Sequence, residues 1–136
     1  MKKISYSLIL LLILSGFFTS CRPYEEGPIL SLKTRTTRLV GSWRVDTGPF
    51  LNGIPSDAEE VLFNFERDND FSLTYKYDLE ATSWNGNWDW ASGTEELIIR
   101  IFDTNERYEF VILKLSNREM RLIDLYDDSF HQFRKQ

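Results

Sequence analysis

Cysteine occurs once in the 136 residues, at Cys21, and histidine once, at His131. A lone thiol excludes an intrachain disulfide. One thiol and one imidazole cannot furnish a cysteine–histidine zinc set. Glycine is scarce, at seven residues, and no Gly-rich phosphate loop of the P-loop kind is present. Cations are outnumbered, 16 Lys and Arg against 21 Asp and Glu, for a net charge of −5. Such a balance argues against a nucleic-acid partner, whose phosphates need a basic surface. Only one long apolar run appears, "LILLLILSGFF" at residues 8–18, well short of the roughly 20 residues that span a bilayer. Neither internal repeats nor low-complexity stretches occur.

That run instead completes a targeting segment. Lys2 and Lys3 precede it as a positive n-region, and "FTSC" follows it. Ser20 is the small residue a lipoprotein signal peptidase needs before the cysteine, and the Cys21 thiol is the expected lipid acceptor. Residues 1–21 resemble bacterial lipoprotein signal peptides, with Phe18 where such peptides usually carry Leu. The expectation is a signal peptide at 1–20 and a membrane anchor on Cys21, stable because each buried methylene adds about 0.8 kcal/mol. Arg22, rather than Asp, follows the cysteine, which makes the outer membrane the expected location. Glu25 and Glu26 read equally as a solvated linker or as a surface-export signal. Removing residues 1–20 takes away Lys2 and Lys3 and no acid, so the net charge moves from −5 to −7. The remainder has the length of one domain.

Residues 21–30 form a tether, because Pro23, Gly27 and Pro28 deny it regular structure. The domain, 31–136, opens with "SLKTRTTRLVG", expected as a short helix capped by Ser31 and ended by Gly41, with Leu32, Thr36, Leu39 and Val40 on one face. After Gly41 the period changes to two. Eight strands are expected: "GSWRVDT", "EVLFNFE", "FSLTYKY", "SWNGNWDW", "ELIIRIF", "RYEFVILKL", "EMRLIDLY" and "SFHQFRK". Their links are hairpin-sized, "RDND" among them, except the first, "GPFLNGIPSDAE". The seventh and eighth strands alternate poorly, since Ile123 and Leu125 oppose Met120 and Leu122. The fold class is all-β: an eight-stranded antiparallel up-and-down β-barrel with a short N-terminal helix. Closure removes the edges that would otherwise aggregate. A two-sheet sandwich is the competing architecture.

The entry "LVGSWRV", with Gly41-x-Trp43, is similar to the G-x-W signature that opens lipocalins, and the long first loop resembles their lid. The domain is similar to lipocalin-like lipoproteins of Gram-negative bacteria, although it is shorter than a typical lipocalin. The resemblance implies barrel closure by Gly41, Trp43 and Arg134, the Arg134 guanidinium lying over the Trp43 ring and bonding the entering helix.

"SWNGNWDW" sets Trp84, Gly86, Trp88 and Trp90 at alternate positions. They read as barrel wall before they read as a carbohydrate platform. Gly86 would let a neighbouring ring cross the backbone. Trp84 stays open, since "DLEATS" before it offers a bend that would turn its ring to solvent. Candidate ligand-lining residues are Tyr75, Tyr77, Trp84, Trp88 and Trp90. His131 follows Asp127 and Asp128 on a turn, and no Ser–His–Asp spacing stands out. "DNDFSLTYKYDLE" lacks the EF-hand's sixth-position Gly and has Leu at its twelfth. No catalytic residue, metal or cofactor is expected. The expected function is a non-catalytic binding module, lipid-anchored, for a small hydrophobic or sugar-like ligand. The alternative is a filled barrel that presents a surface to a protein or envelope partner. The sequence leaves the oligomeric state open.

Overall fold

The structure, a computed structural model, describes residues 34–47, 51–91 and 95–136. The signal peptide, Cys21, the tether, Ser31, Leu32, Gly48 and Pro49 lie outside the described residues. Helix α1 is Arg35–Leu39. Its N-cap is Thr34, whose hydroxyl accepts from the Thr37 amide at 3.2 Å. Val40 is the C-cap, so it does not share the helix face as expected. With two threonines in five residues α1 is a weak helix by itself. Packing holds it: Leu39 is buried, and the Arg38 guanidinium donates to the Leu115 carbonyl at 3.0 Å.

The strands are β1 (Gly41–Thr47), β2 (Glu60–Phe65), β3 (Asp70–Tyr77), β4 (Glu80–Trp90), β5 (Glu96–Ile101), β6 (Glu106–Leu115), β7 (Glu119–Asp124) and β8 (Phe130–Lys135). They form one closed barrel in chain order. β8 returns antiparallel to β1, with Trp43 opposite Lys135 and Arg44 opposite Arg134. That closure rules out the sandwich.

Alternation decides what fills the barrel. Val61, Phe63, Phe65, Phe71, Leu73, Leu97, Ile99 and Ile101 point inward, as the period of two requires. The poorly alternating strands resolve too. Met120 and Leu122 are buried, while Ile123 faces outward and Leu125 is exposed. The interior is packed with rings: Phe63 meets Phe71 edge-on at 5.4 Å and Phe133 at 5.0 Å, and Phe65 meets Trp88 at 6.1 Å. The aromatic core, not a hollow, occupies the barrel axis.

β4 is longer than the sequence suggested. It starts at Glu80 and pairs with β3 in unbroken register from Tyr77–Glu80 to Asp70–Asn87. No bend precedes Trp84. Gly86 is needed for another reason than a ring: a Cβ there would stand 1.9 Å from the Arg100 carbonyl oxygen of β5. The close approach is to backbone.

The two ends of the barrel differ. α1 covers the end at which β1 starts. The β2–β3 and β6–β7 turns at that end are polar, Glu66–Asn69 and Ser116–Arg118. The opposite end, the mouth, carries the β1–β2 loop and the β3–β4, β5–β6 and β7–β8 turns. Residues 51–59 of the β1–β2 loop fold inward there as a lid: Leu51 and Ile54 are buried.

Candidate functional site at the barrel mouth

The covered end holds Trp43, Trp88 and Trp90. Trp43 is fully buried, and its indole N–H donates to the Leu39 carbonyl at 2.6 Å. The cation over its ring is not Arg134. It is Lys135, whose Nζ lies 5.0 Å from the ring centroid and donates to the carbonyls of Arg38 and Val40, both at 2.7 Å. Parity explains the difference. Trp43 points inward and pairs with Lys135, so Lys135 turns inward as well. Arg134 pairs with Arg44, faces out, and forms an ion pair with Asp46 at 2.9 Å. Gly41 belongs to the same closure. Its φ of +124° suits glycine, and a Cβ there would stand 2.8 Å from Lys135 Cε.

Two of the expected ligand-lining tryptophans also belong here. Trp88 is buried in the core and donates its indole N–H to the Glu66 carbonyl at 2.9 Å. Trp90 lies beneath α1, bonded to the Thr36 hydroxyl at 3.1 Å with the Arg35 guanidinium 4.4 Å from its ring centroid. Neither reaches the mouth, so neither lines a site there. The reason is β4's length: eleven residues carry its C-terminal rings to the far end.

Tyr75, Tyr77 and Trp84 do reach the mouth. Trp84 is half-buried and meets Tyr75 edge-on at 5.4 Å. The lid crosses it: a Cβ on Gly53 would stand 3.2 Å from Trp84 Cη2. Tyr77 is exposed at the rim.

Beside this covered stretch lies a cleft of about 480 Å³. Leu51 and Asn52 of the lid, Tyr108 of β6, and Leu125, Tyr126 and His131 around the β7–β8 turn line it. Tyr108 stacks on Phe110, with centroids 6.3 Å apart and planes 15° apart, so the cleft wall continues the core. The Tyr108 hydroxyl donates to the Glu106 carboxylate. Burial, then that bond, push its phenol well above the usual tyrosine range, while a bond from the Asn52 backbone acts the other way. The phenol stays neutral, its hydroxyl hydrogen directed at the Glu106 carboxylate.

His131 forms the floor. It is buried, edge-on to Phe110 at 5.6 Å and stacked on Phe133 at 6.3 Å. Nε2 lies 3.0 Å from the Ser129 hydroxyl. Burial lowers its pKa below the ordinary histidine value, against the pull of Asp124 and Asp127. Asp127 in turn accepts from the Ser129 amide at 2.9 Å. Hydrogen bonds from the Ser129 side chain and then its backbone hold the Asp127 carboxyl below its usual value. The serine thus stands between carboxylate and imidazole. In a hydrolytic triad the carboxylate orients the imidazole from the side away from serine. The arrangement orders a turn and supplies polar contacts to the cleft. Among the described residues no cluster of His, Cys, Asp and Glu is arranged to hold a metal ion.

Sequence reasoning missed Tyr108, Ser129 and the lid residues Leu51 and Ile54. A signal did exist for part of this. Asp127, Ser129 and His131 follow one another at every second position, the spacing that puts side chains on one face of a strand.

The mouth is also where large apolar side chains stand in water. Leu79 on the β3–β4 turn is 95% exposed, Phe102 on the β5–β6 turn 63%, and Tyr126 on the β7–β8 turn 97%. Each has an aspartate as neighbour: Asp78, Asp103 and Asp127. The nearby cations are engaged, Lys76 with Glu60 at 2.8 Å and Arg107 with Glu109 at 2.7 Å.

No family model and no curated protein matches the chain. A solved structure does. The chain is similar to a lipocalin-like protein from Bacteroides uniformis, with 23% sequence identity and a TM-score of 0.57, covering 73% of this chain and 99% of that one. The likeness is one of fold: the chain is a lipocalin-like, closed eight-stranded antiparallel barrel.

Proposed function

We propose that this protein is a non-catalytic binding module, lipid-anchored through Cys21 in the outer membrane, that takes a small amphiphilic ligand at its mouth. The anchor rests on the n-region, the apolar run and Ser20–Cys21. The binding role rests on the lipocalin-like barrel and, above all, on the 480 Å³ cleft, which falls within the size range of ligand pockets. A packed interior moves the ligand from the barrel axis to the rim. Leu51, Leu125 and the Tyr108 and Tyr126 rings offer apolar contact. Glu106, Asp124 and His131 offer polar contacts that suit a hydroxylated or amphiphilic molecule. The described chain begins at the covered end, with Thr34 and α1, opposite the mouth.

Titration with a neutral hydrophobic fluorophore, N-phenyl-1-naphthylamine, and separately with a neutral oligosaccharide, tests the cleft by amide shift mapping. Saturable shifts on the lid, at Tyr108 and around the β7–β8 turn are expected. Tyr108→Ala should weaken binding about tenfold, the effect of roughly 1.4 kcal/mol. No response of those amides to either probe would sink the reading. The anchor has its own test: Cys21→Ser should leave the detergent phase, and a mutant that partitions there at mature mass would contradict it.

The packed interior and the exposed turn tips favour a second reading, a filled barrel that meets a protein partner at its mouth.

A further inference from the structure

We infer that the mouth is a docking surface for a basic, amphipathic protein segment. This rests on the second reading above and names its partner's chemistry. Three successive hairpin turns at one end each hold out a large apolar side chain, Leu79, Phe102 and Tyr126, while the described turns at the other end hold none. The exposure is not a by-product of folding. These residues lie on turns, where polar residues or glycine satisfy the backbone at lower cost. Leu79 even has φ +67°, the left-handed region that hairpin turns usually give to Gly or Asn. Exposed apolar surface rimmed by polar residues marks interaction sites, and these three share one end of the barrel.

Charge selects the occupant. An aspartate adjoins every tip, and Lys76 and Arg107 are already paired within the domain. A second copy docking mouth to mouth would bring aspartate against aspartate. An anionic bilayer would meet the same repulsion. A segment with apolar side chains on one face and Lys or Arg flanking them would seat its apolar face on the tips and pair its cations with Asp78, Asp103, Asp127 and the adjoining, exposed Asp128. Charge complementarity of this kind governs the encounter rate and the choice of partner.

The experiment uses two fluorescein-labelled helical peptides with the same leucine pattern, one with lysine and one with glutamate at the polar positions. Fluorescence anisotropy against the mature domain is the readout. The lysine peptide should bind at least tenfold more tightly than the glutamate peptide. The tip variant Leu79→Ser/Phe102→Ser/Tyr126→Ser should weaken it at least tenfold. Asp78→Asn/Asp128→Asn should weaken it by a smaller factor and flatten its salt dependence. Both of those aspartates have positive φ, which asparagine tolerates, so that variant keeps the fold. Equal binding of both peptides, or a lysine peptide indifferent to the tip variant, would overturn the proposal. Tip-dependent binding to phosphatidylglycerol vesicles, or tip-dependent dimerisation, would overturn the partner chemistry while leaving the mouth an interaction surface. If no probe responds to the tip variant, the second reading fails with it.

Discussion

Exchange of Lys135 for Met tests how the barrel is closed. Methionine keeps an apolar stem over Trp43 but removes the ammonium. Two bonds of 2.7 Å to the Arg38 and Val40 carbonyls are lost, and with them a cation 5.0 Å from the Trp43 ring. A hydrogen bond from a charged donor contributes roughly 1.5–3 kcal/mol. Lys135 is only half-buried, so water can reach the freed carbonyls and the lower figure applies. Two such bonds and a cation–π term of about 0.5–2 kcal/mol make the expected loss about 3.5–5 kcal/mol. That is a large part of the roughly 5–15 kcal/mol a domain has. Trp43→Leu should cost somewhat less than the ~3–5 kcal/mol of a Trp→Ala change. In urea denaturation followed by circular dichroism, the double variant should show coupling of about 0.5–2 kcal/mol, the cation–π share. Arg134→Ala should cost about 0–1 kcal/mol, as an exposed ion pair does. Its effect should add to that of Trp43→Leu within about 0.5 kcal/mol. Additivity at 43 and 135 together with coupling at 43 and 134 would refute this account of closure.

Gly86→Ala should destabilise the domain by about 1–3 kcal/mol or more, because the new methyl meets the Arg100 carbonyl at 1.9 Å and can be relieved only by parting β4 from β5; a loss below ~0.5 kcal/mol in urea melts would contradict that geometry. His131 has a lowered pKa in the folded state, so the unfolded chain binds the proton more readily. Stability should rise with pH between the depressed folded value and about 6.5, and be lost as pH falls through that window. His131→Gln should flatten this part of the profile, and an unchanged slope would show that burial of the imidazole does not govern it. Acrylamide quenching of single-tryptophan variants should find Trp43 and Trp88 the most protected, with Trp84 and Trp90 intermediate; free quenching of Trp88 would argue against a packed barrel.

Period-two patterning after Gly41, with hairpin-sized links, determined eight antiparallel strands in chain order, and the excess of acids was plain from composition. These are local properties, set by alternation and turn length, and they survive without knowledge of contacts. The Gly41-x-Trp43 entry was equally legible, because a glycine and a tryptophan in that order carry a backbone need and a large buried ring. Only the closed barrel decided which residue lies over that ring. Phe130 and Phe133 have opposite parity, so apolarity along β8 did not say which face turns inward; pairing with β1 turned Phe133 and Lys135 in and Arg134 out. Trp88 and Trp90 were separated from the mouth by β4's uninterrupted pairing with β3, which no local pattern reveals. The filled axis, the cleft beside the lid and the exposed tips at one end depend on which side chains closure brings together, Phe63 with Phe133 and Leu51 with Tyr108 among them. Their volumes and distances are products of closure, and a one-dimensional pattern does not contain them.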